Sequence, residues 1–166
     1  MKSILYASVL AVSAMLVFPA NAQVGEDVVR SDDRVEAALE NSEFAWEIDA
    51  DGDFRLLLEF DDDRSQVLFV NSHTNQLGDM EVREVWAVAT ASEVGFNAET
   101  MEQLLRQSAK VKLGGWSIQE MGDQQLAIFR AQVSANAAAD ALNTTIIAVA
   151  TTADEMEKEL LGTDEF

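Results

Sequence analysis

The residues of this chain that could do chemistry are mostly carboxylates. Asp49-Ala50-Asp51-Gly52-Asp53, with Glu59 further on, sets acidic side chains at every second position around a glycine. Alternating carboxylates of this kind serve a helix-loop-helix calcium site, which also needs Gly at loop position six and a bidentate Glu at position twelve. Counted from Asp49, those positions hold Phe54 and Phe60, and Glu59 falls one place short. The flanking residues alternate as strands do. The aspartates therefore read as a hairpin connection, in which Asp51-Gly52 supplies a two-residue turn with positive φ. Binding of Ca²⁺ by the same carboxylates is the alternative. Asp61-Asp62-Asp63 reads as a solvated turn that also discourages aggregation at a strand edge.

Nucleophilic and metal chemistry have little to work with. His73 is the single histidine and falls in a polar stretch, His73–Asp79, read as a turn. A catalytic triad would have to be assembled around it, and no G-x-S-x-G elbow is present. The absence of Cys excludes thiol chemistry and Cys–zinc sites. Gly114-Gly115 follows a helix instead of opening one, so it does not make a phosphate-binding loop. No catalytic, metal-binding or cofactor-binding residue is expected, and the chain reads as no enzyme. Trp46, Trp86 and Trp116 all fall in expected strands, where core packing is the first reading. A Trp facing outward beside Leu57, Leu68 or Val70 would instead mark a binding face.

The elements that must carry these residues can be read from apolar spacing. A first helix is expected over Ser31–Glu40, capped by Ser31, with Asp32 and Asp33 at its positive end and Asn41 as a left-handed stop. Phe44, Trp46 and Ile48 then alternate, as do Phe54, Leu56, Leu58 and Phe60, which predicts a hairpin around Gly52. Gln66–Ser72 reads as a third strand and Glu81–Thr90 as a fourth, a helix being the competing reading of the latter. Asn97 caps a second helix with Met101, Leu104, Leu105 and Ser108 at helical spacing; Lys110 and Lys112 lie near its end, and Gly114-Gly115 stops it. Trp116–Met121 and Gln125–Val133 form a hairpin across Gly122-Asp123.

The last helix is expected over Ala135–Leu161. Leu142, Ile146, Val149, Ala153, Met156 and Leu160 make an unbroken stripe along it. The stripe reads as docked on the domain's own sheet; pairing with a second copy is the alternative. The order α-β-β-β-β-α-β-β-α predicts an α+β fold, an antiparallel sheet with helices mainly on one face.

The first residues have a different character. Lys2 is the only charge before Glu26, an apolar run extends from Ile4 to Phe18, and Ala20-Asn21-Ala22 follows Pro19. This is the order of a cleavable secretory signal, with cleavage between Ala22 and Gln23. The apolar run is shorter than the roughly 18 residues or more of a spanning helix. Residues 1–22 are read as the signal, 23–30 as a flexible lead and 31–166 as one domain, placed in the periplasm or outside the cell and free of the membrane after cleavage. The formal net charge of −19 becomes −20 when Lys2 is removed. Such a surface disfavours nucleic acid and anionic membranes and suits solubility, cationic partners or divalent cations.

Four stretches resemble the YbjN domain family, whose fold is similar to that of the type III secretion chaperones. They are the first helix running into Phe44–Phe60; Leu104-Leu105-Arg106-Gln107-Ser108 leading to Leu113-Gly114-Gly115-Trp116; the Trp116–Met121 and Gln125–Val133 hairpin; and the last helix with Ala153-Asp154-Glu155-Met156-Glu157-Lys158-Glu159-Leu160. The resemblance implies this fold, a homodimer and the binding of protein segments, through a sheet face or the terminal helix. It carries over no catalytic residues. A small-ligand or divalent-cation module using the acidic turns is the competing functional expectation.

Overall fold

The computed structural model describes residues 30–60 and 63–166; the expected signal, its cleavage point at Ala22 and Gln23, and the start of the 23–30 segment lie outside the described residues. Three helices and six strands follow one another as α1 (Asp33–Leu39), β1 (Ala45–Ile48), β2 (Phe54–Glu59), β3 (Ser65–Leu77), β4 (Met80–Ser92), α2 (Ala98–Ser108), β5 (Gly115–Met121), β6 (Gln124–Ser134) and α3 (Ala139–Leu160). The strands form one antiparallel sheet in the order β1-β2-β3-β4-β6-β5. This is the expected α+β class, with an open sheet whose edges are β1 and β5. Among the described residues no helix is long and apolar enough to cross a membrane.

Alternation decides which face is covered. Phe54, Leu56, Leu58, Leu68, Val70, Val85, Ala87, Phe129 and Ala131 share one face and are buried. The α3 stripe of Leu142, Ile146, Val149, Ala153 and Met156 is buried in the same cluster, as are Val35 and Leu39 of α1 and Leu104 of α2. Alanines on β4 and β6 leave room for α3 to lie across β3, β4 and β6. The stripe is thus used within the domain and is not available for pairing with a second copy.

Several local expectations shift. Asp32, not Ser31, caps α1, accepting from Arg34 N at 2.9 Å. Asn41 is not left-handed. The Gly52 connection has three residues, Ala50 to Gly52, between the bonded pair Asp49 and Asp53, with Gly52 at φ 79°; this is the hairpin with a type I turn and a left-handed glycine. The His73–Asp79 stretch is not a turn. β3 continues through an irregularity between Val70 and Thr74 and reaches Leu77, leaving only Gly78 and Asp79 to turn. The irregularity is fixed from outside the strand: Arg83 donates to the Asn71 carbonyl and, at 3.3 Å, to that of Ser72, while the Ser72 amide donates to Asp53 at 2.6 Å. α3 begins at Ala139 because Ala135 pairs with the Glu81 carbonyl and Ala137 closes a turn onto Ser134. The helix has no side-chain cap.

Candidate functional site

Two carboxylates of the acidic hairpin are engaged by backbone amides, Asp49 within the turn and Asp53 by that of Ser72 on β3. Asp49 Oδ1 accepts from the amides of Asp51 (2.9 Å) and Asp53 (3.0 Å). Asp53 is raised above its ordinary carboxylate range by burial, then by Asp49 and Asp51 beside it, against the pull of the Ser72 amide. Glu59 is at the far end of β2, so it does not join them. Asp61 and Asp62 lie outside the described residues, and Asp63 sits at a left-handed φ of 60°. His73 is exposed on β3, with no serine and carboxylate arranged around it by any hydrogen bond among the described residues.

A different set of carboxylates converges. Asp154, Glu157 and Asp164 bring one oxygen each within 4.8 Å of one another, and among the described residues no other group of three metal-ligating side chains does so. Sequence reasoning missed it because Asp164 lies beyond the last helix and no local spacing joins it to Asp154 and Glu157. Arg64 stands among them, its Nε 2.7 Å from Asp154 and its Nη2 3.3 Å from Glu157 and 3.9 Å from Asp164. The guanidinium already serves these carboxylates as their cation.

Of the three tryptophans, two are partly buried and pack against the core. Trp46 packs on Phe54 and Trp116 meets Phe129 edge-on at 5.2 Å. Trp86 lies on the uncovered face, stacked on Phe69 with centroids 4.4 Å apart and its Nε1 donating to Asn71 at 2.7 Å. Leu57 is on that face too, but Leu68 and Val70 point into the core. Around the aromatic pair, Arg55 bridges to Glu47 at 3.0 Å, and Arg130 to Glu84 at 3.5 Å and Gln119 at 2.9 Å. The face carries these paired charges around one half-buried aromatic stack, beside a cavity of about 180 Å³ lined by Asn71, Glu84, Trp86 and Arg130, with Leu57 and Met121 exposed.

The edge at β5 is less satisfied. Trp116 N points away from β6 and is met by Ser108 Oγ at 3.0 Å, the hydroxyl itself donating to Leu104 O of α2. Because backbone direction alternates along a strand, Ile118 and Glu120 also turn their amides and carbonyls outward, and among the described residues nothing pairs with them. Beside this edge runs a cavity of about 210 Å³ lined by Met101, Leu104, Leu105, Trp116, Ser117 and Ile118. Leu105 is 68% exposed, and Met101 and Ile118 are each 39% exposed. An unpaired strand edge flanked by an apolar helix face is the arrangement that accepts an added strand: main-chain bonds give affinity and alternate side chains enter the groove. Gly114 sets up this edge. Its φ is 80°, and a Cβ there would lie 2.5 Å from Arg130 O, so only glycine lets the chain turn from α2 onto β5 this tightly.

No protein-family model matches the chain, and no curated protein sequence is significantly similar to it.

Proposed function

We propose that this protein is an exported, non-enzymatic binding protein of the YbjN-like type, which holds an extended segment of a partner protein along β5 and against α2. The observation that carries the reading is the outward backbone of Ile118 and Glu120 beside exposed Met101 and Leu105. The α-β-β-β-β-α-β-β-α order supports the YbjN-like resemblance, and the signal-like residues before Gln23 support export. With a formal charge of −20 after cleavage, the surface favours segments whose apolar residues are flanked by Lys or Arg. The cation-binding alternative has less behind it, since Asp49 and Asp53 are engaged by backbone amides.

A second copy of the chain is the other partner this edge suits. β5 carries one charge, Glu120. Antiparallel pairing of two β5 strands centred on Ile118 sets Glu120 against Trp116 and avoids placing like charges opposite each other.

The test is binding to an array of extended apolar peptides with basic, neutral and acidic flanks. Wild type should retain the basic-flanked set, and Leu105→Asp and Ile118→Lys should each lose it, while Leu57→Asp on the uncovered sheet face should not. Equal binding by all four proteins would rule the edge out. N-terminal sequencing of the exported protein should begin at Gln23.

A further inference from the structure

After α3, residues 162–166 fold back onto the domain. Gly162 takes a φ of 70°, and its amide closes back on Lys158 O at 3.1 Å. The segment then runs beside the start of β3. The Phe166 carbonyl accepts from Val67 N at 3.0 Å, and the Asp164 carboxylate accepts from Ser65 N at 3.1 Å. At this place β3 has no strand on that side, because its pairing with β4 begins only at Leu68 and Ala87. β4 instead follows β6 through the irregularity between Val88 and Thr90. The fully buried Gln66 side chain spans the opening, donating to Val88 O at 3.0 Å and to Phe166 O at 3.3 Å. Residues 163–166 thus stand in for a strand where the sheet splits.

The segment is fastened by Glu157. Its Oε1 accepts from the amides of Glu165 (2.5 Å) and Phe166 (3.1 Å), and its carboxylate is fully buried. The charged groups facing it are Arg64 from the turn between β2 and β3, Asp154 one turn earlier on α3, and Asp164 from the segment itself. Glu155, Lys158 and Glu159 on the same helix are exposed. One guanidinium therefore serves three carboxylates, of which Glu157 is fully buried, Asp154 nearly so and Asp164 exposed. A buried carboxylate without a cation of its own favours its protonated form.

We propose that residues 162–166 form a latch over the split between β3 and β4, tightened by acid and loosened as the pH rises, with Glu157 as the group that senses the proton. Opening returns Glu157 to water, so the closed form is the one that binds the proton more tightly. Burial, the largest influence, and Asp164 raise Glu157 above its ordinary range, against the pull of the two amides and Arg64. By linkage the closed latch gains stability as pH falls through the raised value, and the gain levels off below the ordinary carboxylate range. The dependence is at most about tenfold in the opening equilibrium per pH unit, since one proton is involved.

Amide hydrogen exchange of the full chain between pH 4.5 and 8, expressed as protection relative to the intrinsic rate at each pH, tests the latch. Protection of Val67, Glu165 and Phe166 should fall as pH rises, while Ala87 and Phe129 in the middle of the sheet keep theirs. In Glu157→Gln the three latch amides should show no such dependence. Unchanging latch protection in wild type, a fall shared equally by Ala87 and Phe129, or the same fall in Glu157→Gln would each overturn the proposal. The wild-type comparison decides even if the variant does not fold.

Discussion

A single buried cation determines how α1 is attached to the sheet. Arg83 is 1% exposed, and its guanidinium meets Asp32 at 2.5 Å as well as the carbonyls of Asn71 and Ser72. Asp32 is also the cap of α1 and pairs with Arg34 at 2.6 Å, which in turn reaches Glu81 at 2.8 Å. Asp32→Ala leaves Arg83 buried without its carboxylate and α1 without its cap, so it should cost about 3–5 kcal/mol in urea denaturation, the range for breaking a buried pair. Arg34 first, and Arg83 after it, hold the Asp32 carboxyl well below the usual range. The sign follows from that depression. The contribution is present above the unfolded value near pH 4 and is lost as pH falls through the folded value. Below about pH 4 the stability gap between wild type and Asp32→Asn should therefore narrow; a gap that widens would contradict this assignment. Gly114 is the other residue with no substitute. Gly114→Ala meets both a left-handed φ and the Arg130 carbonyl, and should lower stability by at least about 1–3 kcal/mol.

Among the elements, α3 shows what a local pattern can disclose. Its stripe repeats at helical spacing with apolar residues throughout, and the same residues line the core; Ile146→Ala should therefore cost about 2–5 kcal/mol by calorimetry or denaturation, whereas Ile147→Ala, at a half-exposed position, should cost under about 1 kcal/mol. The element order and the hairpin at Gly52 were legible for the same reason. The second half of β3 was not. His73 to Gln76 is polar on both sides of the strand, and the irregularity that leads into it is held by Arg83 on the next strand and by Asp53, which no local spacing shows. The β5 edge was half legible. The pattern Trp116-Ser117-Ile118 announces a strand, but that β5 lies outermost, with β6 returning between it and β4, is a property of the connection through α2. Leu105 illustrates the same limit, since helical spacing marks it as apolar without saying that the sheet ends before covering it. The Arg64 cluster joins residues some ninety positions apart in the chain, and no local spacing signals such a meeting.

For the whole molecule, charge and edge act against each other, and salt separates the two partners proposed for β5. Edge strands are usually protected from association by lysine, proline or a covering element. β5 has no lysine or proline; its one charge is Glu120, and among the described residues only the Trp116 amide is met at its outer edge, by Ser108 of α2. Pairing of two copies is opposed by the net charge, which is negative over the whole chain. Screening reduces that repulsion, because the Debye length falls from about 30 Å at 0.01 M salt to about 10 Å at 0.1 M. Self-association through β5 should therefore strengthen as salt is added. A basic-flanked peptide is attracted by the same charge, so its affinity should weaken over the same range. Light scattering of the protein alone and fluorescence anisotropy of a labelled peptide, each at 0.02 and 0.3 M NaCl, should move in opposite directions. Ile118→Lys should abolish both, by setting a charge in the apolar groove. Association that weakens with salt, or that survives Ile118→Lys, would place the contact between copies somewhere other than β5.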